Sequence, residues 1–174
     1  REENPDVFFQ VLDRREATKW DVCIRSTLPQ YVFSNAVKLM EEPLCLAFHK
    51  DSWLRNVEKV RLSDIRNEKF VMLRSGGSIR TISDAIFEKE GIIPDIAFEC
   101  DTVNILRRMV QEGLGVTIWP RYSWRDHLRS EKDFENVCYR PIDNNEFKRS
   151  LYLILQKDLK MTEELAKFCE YTEK

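Results

Sequence analysis

The stretch from Phe70 to Pro120 constrains this chain most, because it alternates short apolar runs with amphipathic, helix-period runs. Phe70–Leu73 predicts a strand. Arg74-Ser75-Gly76-Gly77-Ser78 follows, and then Ile79, Ile82 and Ile86 mark one face of a helix that Gly91 and Pro94 stop. Ile96–Phe98 predicts the next strand. Asp101 or Thr102 can cap a helix with Val103, Leu106, Met109 and Val110 on its apolar face, ended by Gly113. Val116–Trp119 predicts a third strand, closed by Pro120. Strands alternating with helices imply an α/β fold with a mainly parallel sheet.

The flanking sequence reads differently. Val7–Leu12 and Trp20–Arg25 predict strands, the second followed by Ser26 and Thr27. Asn35–Met40 and Leu44–His49 predict two strands around Pro43, and the second is apolar enough to be covered on both faces. Val137–Tyr139 and Leu151–Leu155 predict strands. A last helix from about Thr162 repeats apolar residues at Leu165, Ala166, Phe168 and Cys169, so it docks on a sheet.

Several residues can meet a ligand, and each has a plainer use. In Arg74–Ser78, glycines let backbone approach a ligand, a helix N-terminus offers free N–H groups, and Arg74 can pair with a carboxylate. The same segment can be an ordinary strand-to-helix turn with Ser78 as N-cap. Ser26 and Thr27 offer hydroxyls to a cleft or form a turn into a crossover. Asp101 and Thr102 face a cleft or cap a helix. Trp119 belongs to the core or stacks on a ligand.

Catalytic and metal readings find little support. His49 with Asp51 and Asp126 with His127 have no specificity, and two separated histidines make a poor metal set. No nucleophile elbow, phosphate-binding loop or zinc-protease motif is present. No catalytic residue, metal site or cofactor is expected. The five cysteines are widely spaced with no C-x-x-C pair, and Cys23 and Cys100 lie among apolar neighbours, which points to reduced thiols in a cytoplasmic protein. A net charge of −2, with basic residues scattered among acids, argues against this segment gripping nucleic acid by itself. No apolar run approaches the roughly 20 residues that span a bilayer.

Asp101–Pro120, DTVNILRRMVQEGLGVTIWP, resembles the most recognisable segment of the LysR-type transcriptional regulators, a helix ending V-x-x-G-L-G that feeds a buried strand ending in proline. Other segments fall in that family's order: Asn4–Val7, Trp20–Ile24, Pro43–His49 with Asp51, Val60–Ile65 and Gly91–Glu99. The resemblance implies a two-lobed fold of the type 2 periplasmic-binding-protein kind. Each lobe is a Rossmann-like sheet flanked by helices, two crossover strands join them, and a small effector, anionic by the presence of Arg74, sits in the cleft between. On that basis residues 1–43 with 156–174 form lobe I, and 44–155 form lobe II. The winged helix-turn-helix and the first strand and helix of lobe I lie outside the chain, and Asp13–Lys19 is too short for the family's helix there. The implied effector site is Ser26, Thr27, Arg74, Ser75, Gly76, Gly77, Ser78 and Thr102. The resemblance also implies a non-enzymatic sensor that forms homodimers or homotetramers and reaches DNA only through the N-terminal domain. A transporter's solute-binding receptor, on the same fold, is the alternative.

Overall fold

The computed structural model describes residues 20–33, 36–124, 136–143, 147–156, 159–160 and 162–172. The expected strand Val7–Leu12, the segment Asp13–Lys19 and the Asp126–His127 pair lie outside them.

The described strands are β1 (Val22–Thr27), β2 (Ala36–His49), β3 (Lys69–Leu73), β4 (Asp95–Cys100), β5 (Thr117–Pro120), β6 (Val137–Pro141) and β7 (Lys148–Leu155). The helices are α1 (Ser78–Lys89), α2 (Val103–Gln111) and α3 (Glu163–Thr172).

The alternating segment folds as its pattern requires. β3 and β4 pair in parallel, and a parallel bridge from Phe70 to Val116 brings the lead-in to β5 against β3. Helix α1 buries Ile79, Ile82, Ile86 and Phe87; α2 buries Leu106 and Val110. Phe70 is fully buried in the cluster with the α1 residues, edge-on to Phe87 with ring centroids 5.1 Å apart, while Leu106 and Val110 pack in a second cluster with Val71 and Trp119. Gly115 lets the chain pass this close to β3, since a Cβ there would lie 2.5 Å from the Lys69 carbonyl oxygen.

The expectation of a mainly parallel sheet holds only for this part. The larger sheet, in the order β1-β7-β2-β5 with β6 also on β2, pairs antiparallel throughout. Its neighbours are distant in sequence, with the whole β3–α1–β4–α2 segment lying between β2 and β5.

The two strands expected around Pro43 are one. β2 runs for 14 residues and changes partners at the proline. Its first half, through Pro43 opposite Lys148, pairs with β7; its second half, from Leu44, pairs with β5 and β6. Pro43 lacks an N–H, but the ladder keeps its bonds on either side: Leu44 N donates to the Phe147 carbonyl at 2.8 Å, and the Pro43 carbonyl accepts from Arg121 N at 3.0 Å. A proline is tolerated where a strand hands over from one neighbour to the next. β1 also begins later than expected and continues through Thr27, so Ser26 and Thr27 are strand residues and not a turn after it. The last helix starts as expected, with Leu165, Ala166, Phe168 and Cys169 half-buried.

Candidate effector site

Because β3 and β4 are parallel neighbours, their carboxyl ends fall side by side, and each feeds a helix. Backbone pairing extends to the strand ends, where Arg74 N donates to the Cys100 carbonyl at 2.9 Å. The side chains then meet: Arg74 Nε lies 3.4 Å from Asp101 Oδ1, and both groups face solvent. Of the expected site residues, Arg74–Ser78 and Thr102 are therefore brought to one edge.

Within that edge the two helix starts differ. Thr102 caps α2, its hydroxyl accepting from Ile105 N at 3.3 Å, so its oxygen already has a structural use. For α1 the cap position falls on Gly77, not Ser78, and Gly77 supplies no side-chain cap. Ser78 is the first helical residue. Gly76 adopts φ 89°, the left-handed turn that glycine accepts without strain. The result is a helix start whose early N–H groups lack a side-chain acceptor, preceded by an exposed guanidinium. That combination suits an anion.

Ser26 and Thr27 stand on a different element. They pair with Leu151 and Ser150 of β7. The Ser26 hydroxyl is buried and accepts from Arg149 Nη1 at 3.3 Å; Thr27 is half-buried. Ser26 is thus bound to β7 and not to the Arg74–Ser78 loop. A cavity of about 730 Å³ is lined by Leu28 and Tyr31 after β1, by Ala85 and Lys89 in the second half of α1 and by Phe147, among others, and none of the expected site residues lines it.

Arg149 belongs to a buried polar group that the sequence did not single out. Glu42 is fully buried, and its carboxylate accepts from Tyr122 N (3.0 Å), Ser123 N (2.9 Å), the Ser123 hydroxyl (2.7 Å) and Arg149 Nε (2.6 Å). Burial pushes the Glu42 carboxyl up, but these donors and the Arg149 charge outweigh it and hold it below the ordinary value. Burial lowers the Arg149 guanidinium more than Glu42 raises it. No local spacing marks this pair, because its partners are 107 residues apart. The only hint is an opposite charge in each of two strands.

Trp119 is fully buried, edge-on to Trp124 at 4.8 Å and beneath the Arg107 guanidinium at 5.7 Å; it is core. His49 is half-buried at a strand end, 3.6 Å from Asp51. None of the five cysteines is in a disulfide. Among the described residues no cluster of three or more His, Cys, Asp or Glu could hold a metal ion, and no helix is long and apolar enough to cross a membrane.

Residues 5–174 match the family model described as LysR substrate binding domain. The chain is 30% identical over 145 residues to a hydrogen peroxide-inducible genes activator of Pectobacterium carotovorum subsp. carotovorum, a match covering 83% of this chain and 47% of that protein. It therefore spans about half the length of the curated relatives it matches. Among solved structures it resembles the effector binding domain of QuiR in complex with shikimate (TM-score 0.72, 19% identity, 88% of this chain and 70% of that one). It also resembles the Synechocystis PCC6803 CcmR regulatory domain in complex with 2-PG (TM-score 0.74, 16% identity, 88% and 72%). At this identity the likenesses show the fold: two α/β lobes of the periplasmic-binding-protein kind.

Proposed function

Since the chain belongs to the LysR substrate-binding family, we propose that it senses a small anionic metabolite and relays its presence to a DNA-binding domain elsewhere in the full-length protein. The observation that carries this reading is the uncapped start of α1 beside Arg74, at the carboxyl ends of two parallel strands. Ligands of open α/β sheets sit outside those ends. Arg74 and the first-turn amides of α1 would take the ligand's carboxylate or phosphate, Thr102 would stand at the neighbouring helix start, and Ser26 and Thr27 would face it from the other lobe. Residues 1–43 with 156–174 would make that lobe, and 44–155 the one carrying Arg74. The titles of two structural relatives name complexes with shikimate and 2-PG, and shikimate is a carboxylate at neutral pH. The ligand acts by binding one arrangement of the lobes better than the other. The protein would work in the cytoplasm as a homodimer or homotetramer.

Of the five cysteines, three are half-buried (Cys23, Cys138 and Cys169), and the other two are poor candidates for the peroxide response in the name of the Pectobacterium relative. A reactive thiol needs exposure and a low pKa. Here Cys45 and Cys100 are buried, and burial pushes the Cys100 thiol up.

Titration calorimetry with carboxylates, shikimate first, tests the reading. Arg74→Ala and Thr27→Ala should weaken binding by about tenfold, the loss of one charge-assisted bond, without unfolding the chain. Unchanged affinity in both variants would remove these residues from the site.

A further inference from the structure

Four segments meet at the Glu42–Arg149 pair. Glu42 and Arg149 lie directly opposite each other on β2 and β7. Through Ser26 the pair reaches β1; through Tyr122 and Ser123 it reaches the turn after β5. Trp124 covers the guanidinium at 5.9 Å. These bonds add to two other ties, the six-residue β1–β7 ladder and the packing of Trp124 on both apolar clusters.

The ties are unequal. Glu42, Arg149 and the Ser123 hydroxyl are linked by bonds of 2.5–2.7 Å, whereas Arg149 Nη1 reaches Ser26 at 3.3 Å. Ser123 donates its hydrogen to Glu42 and accepts from Arg149, so it is fully engaged. Ser26 only accepts in this network, which leaves its own hydrogen for another acceptor. The network thus has a firm part on β2, β7 and the turn, and one weaker link to β1.

We propose that the Glu42–Arg149–Ser123 network is a hinge lock: it clamps the Tyr122–Ser123 turn to β2 and β7, and its bond to Ser26 adds to the β1–β7 ladder the one link that gives when Ser26 turns to a ligand. The lock rests on the effector reading for what releases it, but not for its existence. A buried ion pair contributes little net stability, and on this proposal its use is to select one arrangement. The arrangement selected here is the seating of β1 and the turn against β2 and β7.

Amide hydrogen exchange by NMR on the ligand-free chain tests this. In Glu42→Gln the Tyr122 and Ser123 amides and those of Ser26 and Thr27 should exchange roughly tenfold faster, with the Val71 and Val116 amides changed by less than about twofold. In Ser26→Ala only the β1 amides should speed up. If Glu42→Gln does not fold, Arg149→Lys, which keeps the charge and loses the forked bonds, should give the same local pattern. A uniform rise that includes Val71 and Val116, or no rise at Tyr122 and Ser123, overturns the lock. Failure of the effector reading would show separately, as ligand affinity indifferent to Arg74 and Thr27 while the exchange pattern stands.

Discussion

Phe70 and Glu42 are both fully buried, yet they hold their surroundings in opposite ways. Phe70 lies in the β3–α1–β4–α2 half, where Ile79, Ile82, Ile86, Leu106 and Val110 pack by helix period and Gly115 brings β5 close. Glu42 lies where β1, β2 and β7 meet, and its burial is compensated bond by bond. An apolar core tolerates small shifts at graded cost, while a buried charge requires all of its partners together. The first region is suited to a fixed platform for Arg74 and the helix starts; the second is suited to two discrete arrangements.

Breaking the apolar region should cost most. Phe70→Ala removes a fully buried ring and should lose about 3–5 kcal/mol of stability in urea unfolding. Arg149→Met leaves the Glu42 carboxylate buried without its counter-charge and should lose about 3 kcal/mol, but Glu42→Met with Arg149→Met should recover most of that, within about 1 kcal/mol of the parent. No second substitution would rescue Phe70→Ala in this way, so the pair of results separates the regions. If the double variant is as unstable as the single one, the polar region is ordinary core.

Acid sharpens the comparison further. Glu42 titrates below the ordinary glutamate value in the folded chain. Its contribution is therefore complete above the unfolded-state pKa and is lost as pH falls through the lowered folded value. Urea midpoints followed downward from pH 5 should fall less steeply in Glu42→Gln than in the parent; equal slopes would remove Glu42 as a source of acid sensitivity. The smallest effect is expected at the helix cap: Thr102→Ala should cost about 1 kcal/mol in the same assay, with exchange at the Ile105 amide, its partner, as the local readout.

The platform was legible in the sequence because its signals are local. Ile79, Ile82 and Ile86 declare a helix face within a few residues, and Gly113 and Pro120 mark ends that the structure keeps. Arg74 and Thr102 could be placed together because parallel strands align their carboxyl ends. The region around Glu42 and Arg149 was not legible. Pro43 looked like a break, and only the handover of β2 from β7 to β5 and β6 explains its place inside a strand. Glu42 and Arg149 look like surface charges in Glu41-Glu42 and Lys148-Arg149, and only their register across two distant strands turns them inward together. Ser26 is expected at a turn with its hydroxyl toward a cleft, but it lies within a strand and its hydroxyl accepts from Arg149.

The effector site itself is tested most directly by a crystal structure of the chain with a carboxylate that raises its thermal midpoint. The expected result is the ligand's anionic group on Arg74 and the first-turn amides of α1, with Ser26 turned from Arg149 toward it. A ligand seated instead in the cavity between Leu28, Ala85 and Phe147, away from Arg74, would contradict it.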